Sequence, residues 1–81
     1  MKTRLTPHAI QEYIAASLAV QKAFDKQPKF LMHNLKHPSL HAKKYDESQD
    51  IWQARVNRDW RFYFCIDGDT YIIRNIIPHP K

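Results

Sequence analysis

Apolar and polar positions alternate most regularly over the last third of the chain, IWQARVNRDWRFYFCIDGDTYIIRNIIPHPK, from Ile51 to Lys81. Three runs rich in β-branched and aromatic residues stand out: Ile51–Val56, Trp60–Ile66 and Thr70–Ile77. Asn57-Arg58-Asp59 and Asp67-Gly68-Asp69 separate them as turn signals. The pattern predicts a three-stranded antiparallel meander.

Neighbouring side chains on a strand point to opposite faces, so the apolar set fixes the register. Trp52, Ala54 and Val56 share one face of the first run; Trp60, Phe62, Phe64 and Ile66 share one face of the second. Apolar against apolar sets Trp52 across from Phe64, Ala54 from Phe62 and Val56 from Trp60. The same register sets Arg55 across from Arg61 and Gln53 from Tyr63. A two-residue turn at Asp67-Gly68 or Gly68-Asp69 continues the sheet. Either choice puts Arg74 beside Arg61 and Tyr63, and Tyr71, Ile73 and Ile77 on the aromatic face. Like charges directly opposed on a sheet are destabilising. Two readings of the arginine face stay open: a seat for an anion, or a solvated surface served by Asp46, Glu47 or Asp50.

Ahead of the meander the periodicity is helical. Thr6-Pro7 is a helix start, with Thr6 as cap and Pro7 at the first helical position. Ile10, Tyr13, Ile14 and Leu18 recur as a stripe expected to lie on the aromatic face, with the helix ending between Leu18 and Val20. Val20, Ala23, Phe24, Leu31 and Leu35 form one side of a second helical stretch, broken just before Pro28 and resuming over Lys29–Asn34. Lys2–Leu5 reads as a short edge strand or a frayed end. His37-Pro38-Ser39-Leu40 is a connecting loop, in which Leu40 anchors to the core.

Composition narrows the class. With 81 residues and a net charge of +5, the chain is one small basic domain that favours an anionic partner. Cys65 has no second cysteine to pair with, and the five histidines lack zinc-ligand spacing. Cys65 is therefore read as a reduced packing residue of a cytoplasmic protein. No apolar run approaches a membrane span of about 20 residues, and no signal peptide or cofactor motif is present. His8, His33, His37 and His41 are read as surface or capping residues.

The order of these elements resembles a known family. "HPSL" at 37–40, the Lys43-Lys44 pair, "W-x-x-R-V" at 52–56, "W-R-x-Y" at 60–63 and the terminal "HPK" are similar to the RelE/ParE superfamily of bacterial toxins. Within it they resemble the short RelE-like cytotoxic translational repressors and plasmid-stabilisation proteins. The resemblance covers nearly the whole chain. It implies an α+β fold, with an N-terminal helical hairpin packed on a small twisted antiparallel sheet. It implies a toxin held in check by a cognate antitoxin. RelE-like members cleave mRNA on the ribosome by driving the RNA's own 2′-hydroxyl onto the adjacent phosphate, without a metal or other cofactor. ParE-like members instead inhibit DNA gyrase, and some relatives have no established activity; a ParE-like gyrase inhibitor or an inactive binding module of the same fold stands as the alternative.

Carried onto this sequence, the resemblance implies phosphate contacts from Arg55, Arg61, Lys43 and Lys44, with Lys44 sometimes the base. It implies acid–base work at His79 and a further cation at Lys81. Tyr63 and Arg74 join the RNA-binding set from their expected face. Many RNA-cleaving relatives carry a tyrosine just beyond the histidine region. This sequence has none there, and Tyr63 or Tyr45 is the candidate to stand in. An exposed edge strand offers a place for the antitoxin or for a second copy.

Overall fold

The sheet grows outward from the predicted hairpin. A computed structural model describes residues 2–79, and in it β3 (Ile51–Arg55) and β4 (Trp60–Asp67) pair antiparallel. Their register is Trp52↔Phe64, Gln53↔Tyr63, Ala54↔Phe62 and Arg55↔Arg61, as the alternation requires. β5 (Thr70–Pro78) returns along β4 through a Gly68-Asp69 turn. Gly68 takes φ +60°, a conformation open to glycine at little cost.

Two edge strands complete a five-stranded sheet of order β1-β5-β4-β3-β2. β1 (Lys2–Leu5) settles the open question at the start of the chain by pairing parallel to β5, which makes the sheet mixed. β2 (Lys43–Asp46) pairs antiparallel to β3, where the sequence offered only a basic pair ahead of the sheet.

Three short helices cover one face: α1 (Pro7–Ala15), α2 (Leu18–Asp25) and α3 (Gln27–His33). Thr6 caps α1, its Oγ1 accepting from the Ala9 N–H at 3.1 Å. α1 ends at Ala15, earlier than the sequence suggested. Ala16 turns extended, and the Ser17 hydroxyl accepts from the Val20 N–H at 3.3 Å to start α2. α2 and α3 are divided at Lys26, with Pro28 in the first turn of α3, where its missing N–H costs nothing. Pro38–Leu40 then makes a single 3₁₀ turn, with Leu40 fully buried.

The core lies between these layers. Ala9, Val20, Phe24, Leu31 and Leu40 meet Ala54, Val56, Phe62, Phe64, Tyr71, Ile73 and Ile76. Phe24 stands edge-on to Phe62 with ring centres 5.4 Å apart, a favoured aromatic geometry.

Two expectations are corrected here. First, Ile10, Ile14 and Leu18 are 44%, 70% and 65% exposed. α1 turns Ala9, Tyr13 and Ala16 to the core instead. Glu12 sits on that inner side, and its Oε1 accepts from the Ile76 N–H at 3.0 Å and from Asn75 Nδ2 at 3.4 Å. That backbone group lies past the last β1 pairing, Leu5↔Ile73, so the carboxylate takes over where the neighbouring strand stops.

Second, β5 carries a bulge. Tyr63 opposes Asn75 while Phe64 opposes Ile73, leaving Arg74 as the extra residue. The far half of β5 therefore shifts phase. Ile76, not Ile77, joins the aromatic face, and Ile77 lies opposite Arg61. Arg74 does not join Arg61 and Tyr63 in one pocket; it borders a separate hollow with Thr6, His8 and Asn75.

Candidate active site on the open face of the sheet

The face turned away from the helices carries two rows. One runs Lys43, Gln53, Tyr63, Asn75; the other runs Arg55, Arg61, Ile77. At the end where β3 and β4 meet their connecting loop, Lys43, Arg55 and Arg61 line a pocket of about 430 Å³. His41 and His79 line the same pocket.

Each contributor is held by its own local device. Arg61 Nη1 donates to the carbonyls of Asn57 at 2.7 Å, Trp60 at 2.9 Å and Arg58 at 3.3 Å. The guanidinium is thereby tied to the hairpin loop by neutral acceptors, and its charge is not cancelled. A guanidinium carries five N–H donors, so most of the fork remains for a ligand. Arg55 is anchored through its backbone: its carbonyl accepts from Gln27 Nε2 at 2.5 Å. Neither arginine makes an ion pair among the described residues.

His79 is positioned by its N–H, which donates to the Asp59 carbonyl at 2.7 Å, carrying the chain past the loop and into the pocket. His41 follows the 3₁₀ turn with φ 47° and ψ 41°. This left-handed conformation is uncommon for a residue with a Cβ, and such strain concentrates at functional sites. Two imidazoles thus share a pocket with two guanidiniums and an ammonium. That arrangement can hold a phosphodiester and move protons at either side of it.

The remaining sequence candidates fall elsewhere. Lys44 pairs with Trp52 in register and leans over its ring at 4.8 Å, on the opposite face from Lys43. It bonds to the Asp50 carboxylate, which pushes its pKa up and keeps it a cation. A charged ammonium is a poor proton acceptor, which sets Lys44 apart from the expected base. Tyr63 lies on the open face but is buried. Its hydroxyl accepts from Gln53 Nε2 at 2.9 Å, and Tyr45 packs edge-on against it at 4.9 Å. Tyr45 is the exposed ring of that pair. Lys81 lies outside the described residues. His41 is the pocket residue that sequence reasoning passed over. A lone histidine after a Pro-Ser-Leu turn carries no spacing signal, and only the backbone conformation turns it inward. Among the described residues no three or more His, Cys, Asp or Glu side chains cluster as a metal site needs, and no helix is long and apolar enough to cross a membrane.

No protein-family model matches the sequence, and no curated protein does. The fold is far better matched than the sequence. A YoeB/ParE toxin from Agrobacterium tumefaciens superposes with a TM-score of 0.82 at 12% identity, covering 99% of this chain and 100% of that one. The YoeB dimer from Staphylococcus aureus gives 0.81 at 15% identity, over 99% and 98%. The archaeal RelE-RelB complex from Pyrococcus horikoshii gives 0.78 at 13% identity, over 95% and 92%. The chain shares the fold of these RelE- and YoeB/ParE-type toxins.

Proposed function

We propose that this chain is the toxin of a type II toxin–antitoxin pair and acts as a ribosome-dependent mRNA endonuclease. The observation that carries the reading is the meeting of Lys43, Arg55, Arg61, His41 and His79 in one pocket. Similarity to toxins solved alone and with antitoxins supports the toxin role.

In this reading the arginines and Lys43 hold the scissile phosphate. One imidazole, neutral, takes the proton of the 2′-hydroxyl. The O2′–P bond forms as the P–O5′ bond breaks, leaving a 2′,3′-cyclic phosphate. The other imidazole, protonated, delivers its proton to the departing 5′ oxygen. Charge developing on the phosphoryl oxygens falls on guanidinium donors already fixed in place. A cognate antitoxin with acidic groups covers the same basic face, and the free edges of β1 and β2 offer it strand pairing.

Expression in growing cells, with primer extension on cellular mRNA, tests this. Arg61→Ala is expected to lower cleavage by about 10²–10³-fold; His41→Ala and His79→Ala are each expected to lower it by about 10²–10⁴-fold. Cleaved RNA should carry a 5′-hydroxyl. Intact mRNA together with blocked DNA supercoiling by gyrase would instead establish the ParE-like alternative. Intact mRNA with normal gyrase would leave a binding module of the same fold.

A further inference from the structure

A second hollow adjoins the phosphate pocket and takes no part in the chemistry above. It holds about 410 Å³ and lies among α2, α3, the 3₁₀ turn and the β3–β4 loop. Arg55 and His41 line both hollows, so a chain-like ligand leaving one enters the other. Lys26 and Arg58 supply its cations, and neither makes an ion pair among the described residues. Ala23, Phe30 and Val56 give it an apolar wall.

Gln27 lines the same hollow and is only 2% exposed. Its Nε2 donates to the carbonyls of Ser39 at 3.1 Å and Arg55 at 2.5 Å. Both partners are acceptors, which fixes the nitrogen end of the amide and leaves Oε1 facing the other way. Oε1 has no donor and less than 1 Å² of accessible surface. A buried acceptor without a donor is rare in folded proteins and unfavourable. A ligand amino group that displaced part of the wall beside Gln27 would supply the donor that Oε1 lacks.

We infer that this hollow is a nucleotide subsite: it takes the RNA residue next to the scissile phosphate, with the base against the apolar wall and the flanking phosphate on Lys26 and Arg58. The inference rests on the RNA reading of the adjoining pocket. Nucleotide chemistry fits the lining better than an acidic peptide side chain does. Aspartate and glutamate bring only acceptors, which Gln27 Oε1 cannot use. Adenine, guanine and cytosine bring an amino donor and a flat face as well as a phosphate.

Non-cleavable 2′-O-methyl adenosine oligonucleotides test it on the intact protein. The monomer 3′-phosphate reports the first pocket alone; the trimer reports both. The trimer is expected to bind at least about tenfold more tightly, as an added phosphate contact and base platform provide. The double variant K26A/R58A, altered only at exposed side chains, should lose that gain and keep monomer affinity. Its salt dependence should flatten by about 0.7 in the log–log slope for each contact removed. Replacing adenine by purine riboside, which lacks the amino group, should weaken the trimer for the parent protein. Undiminished trimer affinity in K26A/R58A overturns the subsite while leaving the first pocket intact. The same follows if that variant weakens a glutamate hexapeptide and not RNA. Equal affinity for the purine riboside trimer removes Gln27 from the site. Failure of the parent protein to bind monomer and trimer alike overturns RNA binding at both hollows of the free protein, and the subsite with it, while cleavage on the ribosome is judged separately by primer extension.

Discussion

The two hairpins of the sheet share β4 yet behave differently. The β3–β4 ribbon keeps one phase throughout, and Arg55 faces Arg61 as alternation demands. The β4–β5 ribbon changes phase halfway, at Arg74. The difference lies in how sharply each strand separates its faces. Trp52, Ala54 and Val56 alternate with Gln53 and Arg55, so a slip of one residue would bury a charge. β5 contains two doublets, Ile72-Ile73 and Ile76-Ile77, and either member of each satisfies the core. Side-chain pattern leaves the phase undecided there, and the hydrogen bond from Ile76 N–H to Glu12 decides it.

The sharpest test sets the doublet members against each other. Ile76 is 1% exposed while Ile77 is half-buried on the open face. Ile76→Ala is expected to cost about 2–5 kcal/mol in urea unfolding, as buried isoleucines do. Ile77→Ala should cost roughly 1 kcal/mol or less. The opposite order would mean that the strand runs without its bulge. Next in size is the clamp. Glu12→Ala leaves the Ile76 N–H without its acceptor, at a cost of about 1–3 kcal/mol. Amide exchange at Ile76 should quicken while that at Phe62 stays slow; unchanged exchange at Ile76 would remove Glu12 from the explanation.

These cases show what the chain declares and what it conceals. The β3–β4 register, the Thr6 cap, the break before Pro28 and the pairing of Arg55 with Arg61 follow from local alternation, capping chemistry and proline sterics. The rotation of α1 does not: Ala9 and Tyr13 face the core and Glu12 bonds the Ile76 N–H, while Ile10 and Ile14 stay exposed. β2 was hidden for a similar reason: Lys-Lys-Tyr-Asp has weak strand character, and its pairing is fixed by the β3 edge. Of the residues that line the candidate pocket, Lys43, Arg55, Arg61 and His79 were named from the sequence. His41 was not, since its place depends on a left-handed backbone. Arg74 was misplaced because one inserted residue moves it.

Two smaller effects bracket the regular ribbon. A methyl at Gly68 meets nothing within 4 Å, so Gly68→Ala isolates the backbone penalty of φ +60°. It should cost about 1 kcal/mol by thermal melting, and no cost would mean the turn relaxes freely. At the other end, Asp46 accepts from the Ser48 hydroxyl and from the N–H groups of Gln49 and Ser48, which hold its pKa below the ordinary carboxylate value. A depressed folded pKa gives stability that is present above the unfolded value and lost as pH falls through the folded one. The β2–β3 turn should therefore loosen only in strong acid, seen as faster exchange at Ser48 and Gln49; loosening at neutral pH would contradict it.

The pairing of the first strand with the last one has a consequence for synthesis. While the polypeptide is being made, β1 has no hydrogen-bonding neighbour until some sixty further residues have been added, Lys2 pairing with Thr70. Closing so long a loop is slow. The imidazole of His79 arrives later still. A nascent chain therefore carries its cations well before it holds the finished pocket, and whatever this protein does to its surroundings begins only after β5 and His79 have been made.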